Sequence, residues 1–350
     1  MLHRRSFAVF AALAVGGVAA AMPVTAAEAP LTCGDLSADM SHPGVPVPTV
    51  VDIAVSPDED EVLWVGYIGD RHMEDADGRM DTLPGPAARH DGTDWWNGIR
   101  PHLTRSNDGD TSDDADALRR GDERVVGSAF TATGDGHFLF TSYGRVLPFG
   151  DAAFHGDLES LSIEPDLPVV GAATTPSGDG YWLFAEDGGL FAFGDAPFHG
   201  SVPEVLGPIG ATLAAPIVGM AATPDGSGYS MVGADGGMFA FGSAPFLGSL
   251  PGMNVTPAEP VVDMIASPGG YLQLGADGGT FAFGAAGFDG SIPFLASCGR
   301  LSYWPGVGEI WLSGFDFVFA DVLATNDGYL ITDDHGHTYR FGRGTQIPTN

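Results

Sequence analysis

From residue 124 to residue 292 the chain alternates short apolar runs with turns rich in glycine and aspartate, and the alternation repeats. AEDGGLFAFGDAPFHGS at 185–201 returns as GADGGMFAFGSAPFLGS at 233–249 and as GADGGTFAFGAAGFDGS at 275–291. Aligned on the Phe-Gly pair that ends the LFAFG-like run, five units fall into register at Phe149-Gly150, Phe193-Gly194, Phe241-Gly242, Phe283-Gly284 and Phe341-Gly342, spaced by 44, 48, 42 and 58 residues. Each unit opens on a small-residue strand: VVGSAFTAT (125–133), VVGAATTP (169–176), IVGMAATP (217–224) or VVDMIASP (261–268). A Gly/Asp turn leads to a bulkier strand: HFLF (137–140), YWLF (181–184), YSMV (229–232) or YLQL (271–274). A second Asp-Gly turn leads into the LFAFG-like strand, and a short Phe-x-Gly strand closes the unit.

The residue types fit these duties. Asp-Gly pairs supply the positive φ that two-residue hairpin turns need. With a side-chain period of two, Phe191 and Phe193 fall on one face of the third strand and Leu190 and Ala192 on the other. Both faces are apolar, so burial on both sides is expected. Gly171-Ala172-Ala173 suits a crowded first strand.

Four short antiparallel strands in about 45 residues is the pattern of a β-propeller blade. Two further units are degenerate. VVDIAVSPDEDEVLWVGYIGD (50–70) reads as strand, turn, strand, with a third strand in DADGRMDTLPG (75–85); VFADVLATNDGYLITDDHGHTYRFG (318–342) gives three strands. The fold expected is an all-β, six-bladed β-propeller closed near the chain termini. The extra segment LSYWPGVGEIWLSG (301–314) leaves seven blades open. In this reading residues 50–350 form the propeller: a degenerate blade at 50–103, an acidic insertion at 104–122, regular blades at 124–297, a hairpin at 301–314 and a terminal blade at 315–350. Residues 28–49 form an N-terminal segment that can complete the last blade.

The first 27 residues read as an export signal: MLHRR, an apolar run, then Thr25-Ala26-Ala27 before cleavage. Arg4-Arg5-Ser6-Phe7 leaves a twin-arginine route open beside the general secretory one. Secretion is therefore expected, with no membrane insertion, since no later run is long and apolar enough to span a bilayer. In an exported protein the lone pair Cys33 and Cys298 is expected to form one disulfide near the ring closure. On the chain-entropy account such a bridge contributes about 4–5 kcal/mol.

The phrase IVGMAATPDGSGYSMVGADGGMFAFGSAPFLGS (217–249) resembles the repeat of secreted actinobacterial proteins, which occurs alone or appended to secreted hydrolases. The resemblance covers 124–292. It implies a propeller fold and export, and it implies no catalytic residues.

All 14 basic residues are arginines, against 45 acids, for a formal net charge of −31. Such a surface repels nucleic acid and anionic lipid. It leaves an extracellular glycan, a cell-wall polymer or another protein as the expected partner of a monomer.

Candidate chemistry lies where the repetition stops. Residues 52–123 hold 19 of the 45 acids. SNDGDTSDDADAL (106–118) resembles an Asp-rich calcium loop, with Asn107, Asp108, Asp110, Asp113, Asp114 and Asp116 as oxygen donors. Asp75, Asp77 and Asp81 form a second, sparser calcium candidate; a solvated acidic loop is the alternative for both. Trp95 and Trp96 beside Arg100 would stack on a sugar or peptide if exposed, and would line the first blade if buried. His72, His90 and His102 lack zinc spacing. There is no Gly-x-Ser-x-Gly, P-loop or dinucleotide fingerprint. The recurrent Asp187, Asp235, Asp277, Phe193, Phe241 and Phe283 are either identical ligand sites or turn and core residues that every blade needs. Two functions follow: a non-catalytic binding or scaffold module, or a propeller enzyme of the glycoside hydrolase or lyase class. In the second, acids and histidines of 70–122 would converge with an aromatic at the channel mouth.

Overall fold

The computed structural model describes residues 39–41, 49–55, 57, 62–67, 72–74, 80–82, 102–105, 123–267, 269–297, 319–325, 328–333 and 338–342. The chain is all-β, built mainly of small antiparallel sheets. β1 (Asp39–Ser41) comes first. A sheet then forms from β2 (Thr49–Val55), β3 (Val62–Tyr67) and β6 (His102–Arg105), with the hairpin β4 (His72–Glu74) and β5 (Met80–Thr82) as a separate ladder. Next come β7 (Val125–Phe130), β8 (His137–Thr141) and β9 (Val146–Phe149), then β10 (Val169–Thr174), β11 (Gly180–Ala185) and β12 (Leu190–Gly194). β13 (Ile217–Ala222), β14 (Gly228–Gly233) and β15 (Met238–Gly242) precede β16 (Val261–Ser267), β17 (Gly270–Gly275) and β18 (Thr280–Gly284). The last sheet holds β19 (Phe319–Thr325), β20 (Gly328–Asp333) and β21 (Thr338–Gly342), with β1 as its fourth strand. There β1 runs antiparallel to β21, Asp39 opposite Arg340 and Ser41 opposite Thr338.

The first strands of successive sheets are neighbours. β2 lies beside β7, β7 beside β10, β10 beside β13, β13 beside β16, β16 beside β19, and β19 beside β2. Each carries a register shift at the same place: Val50/Asp52, Val125/Gly127, Val169/Gly171, Ile217/Gly219, Val261/Asp263 and Phe319/Asp321. The residue after the irregularity is glycine in three strands and aspartate in three. The glycines are sterically required at two of these places. A Cβ on Gly171 would stand 2.4 Å from the Phe184 ring, and one on Gly219 2.9 Å from the Met264 backbone nitrogen.

The core is a series of layers between sheets. β11 and β14 are buried throughout. Trp182 and Phe184 pack with Ile217, Tyr229 and Phe241 of the following sheet, whereas Tyr181 and Leu183 pack with Phe138, Phe140 and Val146 of the preceding one. The strand buried on both faces is thus the second, not the third, in the sheets of β8, β11, β14, β17 and β20. In β12 Leu190 and Phe193 are buried and Phe191 is half-buried. Each of these strands is flanked by a strand on both edges and is buried along nearly its whole length.

Three other expectations change. The regular sheets have three strands among the described residues; no Phe-x-Gly segment forms a fourth. Gly156, Gly200, Gly248 and Gly290 there have φ of 111, 120, 128 and 135°, which takes the chain away from a ladder. Each segment instead docks on the next sheet through a tyrosine. The Tyr181 hydroxyl donates to the Gly156 carbonyl at 2.6 Å and accepts from the His155 N–H at 3.1 Å. Tyr229 does the same for Gly200 and His199, at 2.6 and 2.9 Å. Tyr271 does so for Gly248 and Leu247, at 2.5 and 3.2 Å, and Tyr329 donates to Gly290. Secondly, the third strand of the first sheet is β6, not the 75–85 segment, of which Met80–Thr82 pairs with His72–Glu74 instead. Thirdly, the Asp-Gly loops are three-residue turns rather than two-residue ones. In 185–189 the Gly188 N–H returns to the Ala185 carbonyl, and Gly188 alone is left-handed, at φ 78°.

Two short helices, α1 (Val202–Leu206) and α2 (Ile292–Ser297), follow Phe-x-Gly segments. Val202, Leu206, Ile292 and Leu295 are buried between sheets. No helix among the described residues is long and apolar enough to cross a membrane.

Candidate functional site

The repeated residues have structural duties. Asp187, Asp235 and Asp277 each accept, through Oδ1, the backbone N–H two residues on, Gly189, Gly237 and Gly279, at 2.8, 2.8 and 2.9 Å. Phe193, Phe241 and Phe283 are buried beside Tyr181, Tyr229 and Tyr271, with ring centroids 5.7, 5.4 and 5.2 Å apart. None of the six is presented as a ligand site.

Of the residues singled out for chemistry, Asp81 has its backbone in β5, opposite Met73. Asn107, Asp108, Asp110, Asp113, Asp114, Asp116, Asp75, Asp77, Trp95, Trp96, Arg100, Cys33 and Cys298 lie outside the described residues.

Two arrangements absent from the sequence reading stand out. The first joins Asp52, Asp263 and Asp321, the three aspartates that follow the register shift on β2, β16 and β19. These strands are neighbours, so residues far apart in sequence meet in one layer. Asp321 is hydrogen-bonded to both Asp52 and Asp263. Asp52 accepts from the Ser128 hydroxyl on β7, and Asp263 Oδ2 accepts from the Val322 N–H at 3.3 Å. Burial, and then the neighbouring Asp321 carboxylate, push the Asp52 and Asp263 carboxyls well above the usual carboxylate range. These three are the only titratable side chains on the six first strands. A hydrogen bond between two carboxyls requires a shared proton, so the row holds protons that isolated carboxylates would lose. Groups this close are nearer than the roughly 5 Å or more that separates a glycosidase acid from its partner carboxylate. Among the described residues no group of three or more His, Cys, Asp or Glu converges as metal ligands do.

The second arrangement is on the surface. Phe154, Phe198, Phe246 and Phe288 occupy the same position of the Phe-x-Gly segment on four successive sheets, and they are 51, 50, 43 and 39 % exposed. The residue after each varies (His155, His199, Leu247, Asp289), but the phenylalanine does not. A half-exposed phenyl ring stabilises little, so its repetition has no folding duty to match that of the buried Phe193. The signal was present in the sequence as the invariant Phe of Phe-x-Gly; a strand-forming role hid its exposure.

Fixed carboxylates stand three residues before two of these rings. Asp151 accepts from the Thr131 and Thr133 hydroxyls at 2.7 and 2.5 Å, and Asp195 from those of Thr175 and Ser177 at 2.8 and 2.6 Å. In the next sheet the acid has moved into the turn: Asp225 accepts from Thr223 and Ser227, both at 2.7 Å, and Ser243 takes the place of Asp195. The hydroxyl donors hold Asp151 and Asp195 below the usual carboxylate range and bring Asp225 down to about 2.

No protein-family model matches the chain, and no curated protein is similar to it in sequence.

Proposed function

We propose that the chain is an exported, non-catalytic six-bladed β-propeller that serves as a binding or scaffold module for a cell-envelope polymer, glycan or protein. The cyclic succession of six first strands, each beside the next and β19 beside β2, supports the blade count. So does the seating of β1 on β21, a common way for such a ring to close. The observation that carries the binding role is the array of half-exposed rings Phe154, Phe198, Phe246 and Phe288. An aromatic face repeated on four successive sheets suits a ligand that is itself repetitive, because weak sites act together through avidity.

The test is retention of the full chain on a panel of glycans, cell-wall polymers and envelope proteins, beside the variant F154A/F198A/F246A/F288A. At least one panel member should retain the parent and lose at least about tenfold affinity for the variant. Retention of the parent by no member sinks the module reading.

A propeller enzyme is the second reading. The observation in its favour is the Asp52–Asp321–Asp263 row, since a carboxyl kept protonated is what a general acid needs. The mutual hydrogen bonding of the three acids weighs against a hydrolase pair.

A further inference from the structure

We propose that the arc of sheets spanning residues 146–299 docks a polycationic polysaccharide, a polymer of amino sugars with free amines. The inference rests on the binding-module reading above and names its ligand class.

Charge is the first argument. Between residues 146 and 299 there is no lysine or arginine, against 16 aspartates and glutamates, of which Asp157 is buried, Asp263 is desolvated in the row with Asp321, and the other 14 make up the charge of the arc. The nearest basic side chain on the N-terminal side, Arg145, is buried in ion pairs with Glu123 at 2.9 Å and Glu159 at 3.1 Å. An anionic polymer would meet no lysine or arginine of residues 146–299 to neutralise it, and a second copy of a chain carrying −31 would be repelled. A cationic partner is drawn in along the whole arc.

The placement of the charges is the second argument. Asp151 and Asp195 are anchored by paired hydroxyls, as is Asp225, so these carboxylates are oriented before any ligand arrives. Asp151 and Asp195 stand three residues before Phe154 and Phe198, and Asp289 adjoins Phe288. A pyranose offers an apolar face to a phenyl ring, and an amino group on the same sugar offers the ammonium that a neighbouring carboxylate needs. Recurrence of the ring on four sheets, with a fixed carboxylate three residues before it on two of them, matches a ligand whose identical units recur along a chain. A basic peptide would satisfy the carboxylates but does not present one flat apolar face per unit.

The experiment is co-sedimentation of the full chain with chitosan, chitin, cellulose and polylysine-coated beads at about 50 mM salt and at about 500 mM, where charge attraction is screened. Three proteins are compared: the parent, F154A/F198A/F246A/F288A and D151N/D195N. Melting curves confirm that the variants are folded. Chitosan is expected to retain the parent at least about tenfold more strongly than chitin, less so at high salt, with both variants weakened about tenfold or more. Equal retention on chitin or cellulose overturns the cationic ligand and leaves the module reading standing. Chitosan retention unchanged in the phenylalanine variant reduces the effect to bulk ion exchange and overturns the proposal. Retention on polylysine but not chitosan assigns the surface to a basic protein, which also overturns it. Retention on none of the four overturns the proposal here, whereas loss on the wider envelope panel overturns the module as well.

Discussion

At the scale of single residues, the joints between sheets are tyrosines. Each of Tyr181, Tyr229 and Tyr271 ties two backbone groups of the preceding segment, and burial pushes its phenol up to about 12, so the hydroxyl keeps its proton at any ordinary pH. Removing one hydroxyl leaves one backbone N–H and one carbonyl without this partner. Tyr229→Phe should therefore cost about 1–3 kcal/mol. A urea denaturation series reads it as a lower midpoint at unchanged slope; an unmoved midpoint would remove the joint from the stability account. The residue scale is also where the sequence was most legible. Gly188 is left-handed and Asp187 caps its turn, as the Asp-Gly spelling implies. The exposure of Phe154, Phe198, Phe246 and Phe288 was not legible. Alternation assigns a residue to a face only inside a strand, and the Phe-x-Gly segments leave the ladder at their positive-φ glycines.

At the scale of elements, the sheet boundaries followed from hydrophobic runs and turns wherever the repeat is regular. They failed in the first sheet, where the third strand, β6, is reached only after the β4–β5 hairpin. No local pattern distinguishes a hairpin that pairs with its own sheet from one that pairs with itself. The closing element is β1, whose three residues would leave β21 with an open edge if removed. A chain lacking residues 1–41 should lose amide-exchange protection in the β1–β21 ladder, at Thr338–Arg340, while β10 to β18 keep theirs. Unaltered protection at Thr338–Arg340 would show that β1 does not close the sheet.

For the whole molecule, the Asp52–Asp321–Asp263 row couples folding to pH. No run of sequence contains it; it appears only when the units are superimposed and Asp is found where other first strands have Gly. A carboxyl raised in the folded state contributes stability that is fully present below its unfolded value. That stability is lost as pH rises from the ordinary carboxylate range through the raised one. Asp263→Asn mimics the protonated form, with an amide that can still accept from Val322. The variant's melting temperature should exceed the parent's by a margin that widens from about pH 4 to about pH 8. A margin that stays constant with pH would falsify the shared-proton account.

The tyrosine joints also have a direction. Every one of them reaches backwards, from a later sheet to the segment that ends the earlier one. A chain that emerges amino end first can therefore fasten each new sheet to the one already made, without waiting for anything still to come. Only the β1–β21 seam and the β19–β2 contact need both ends at once. The succession of sheets is assembled like a zip with its clasp made last, and a chain halted part-way exposes one raw edge rather than a collapsed core.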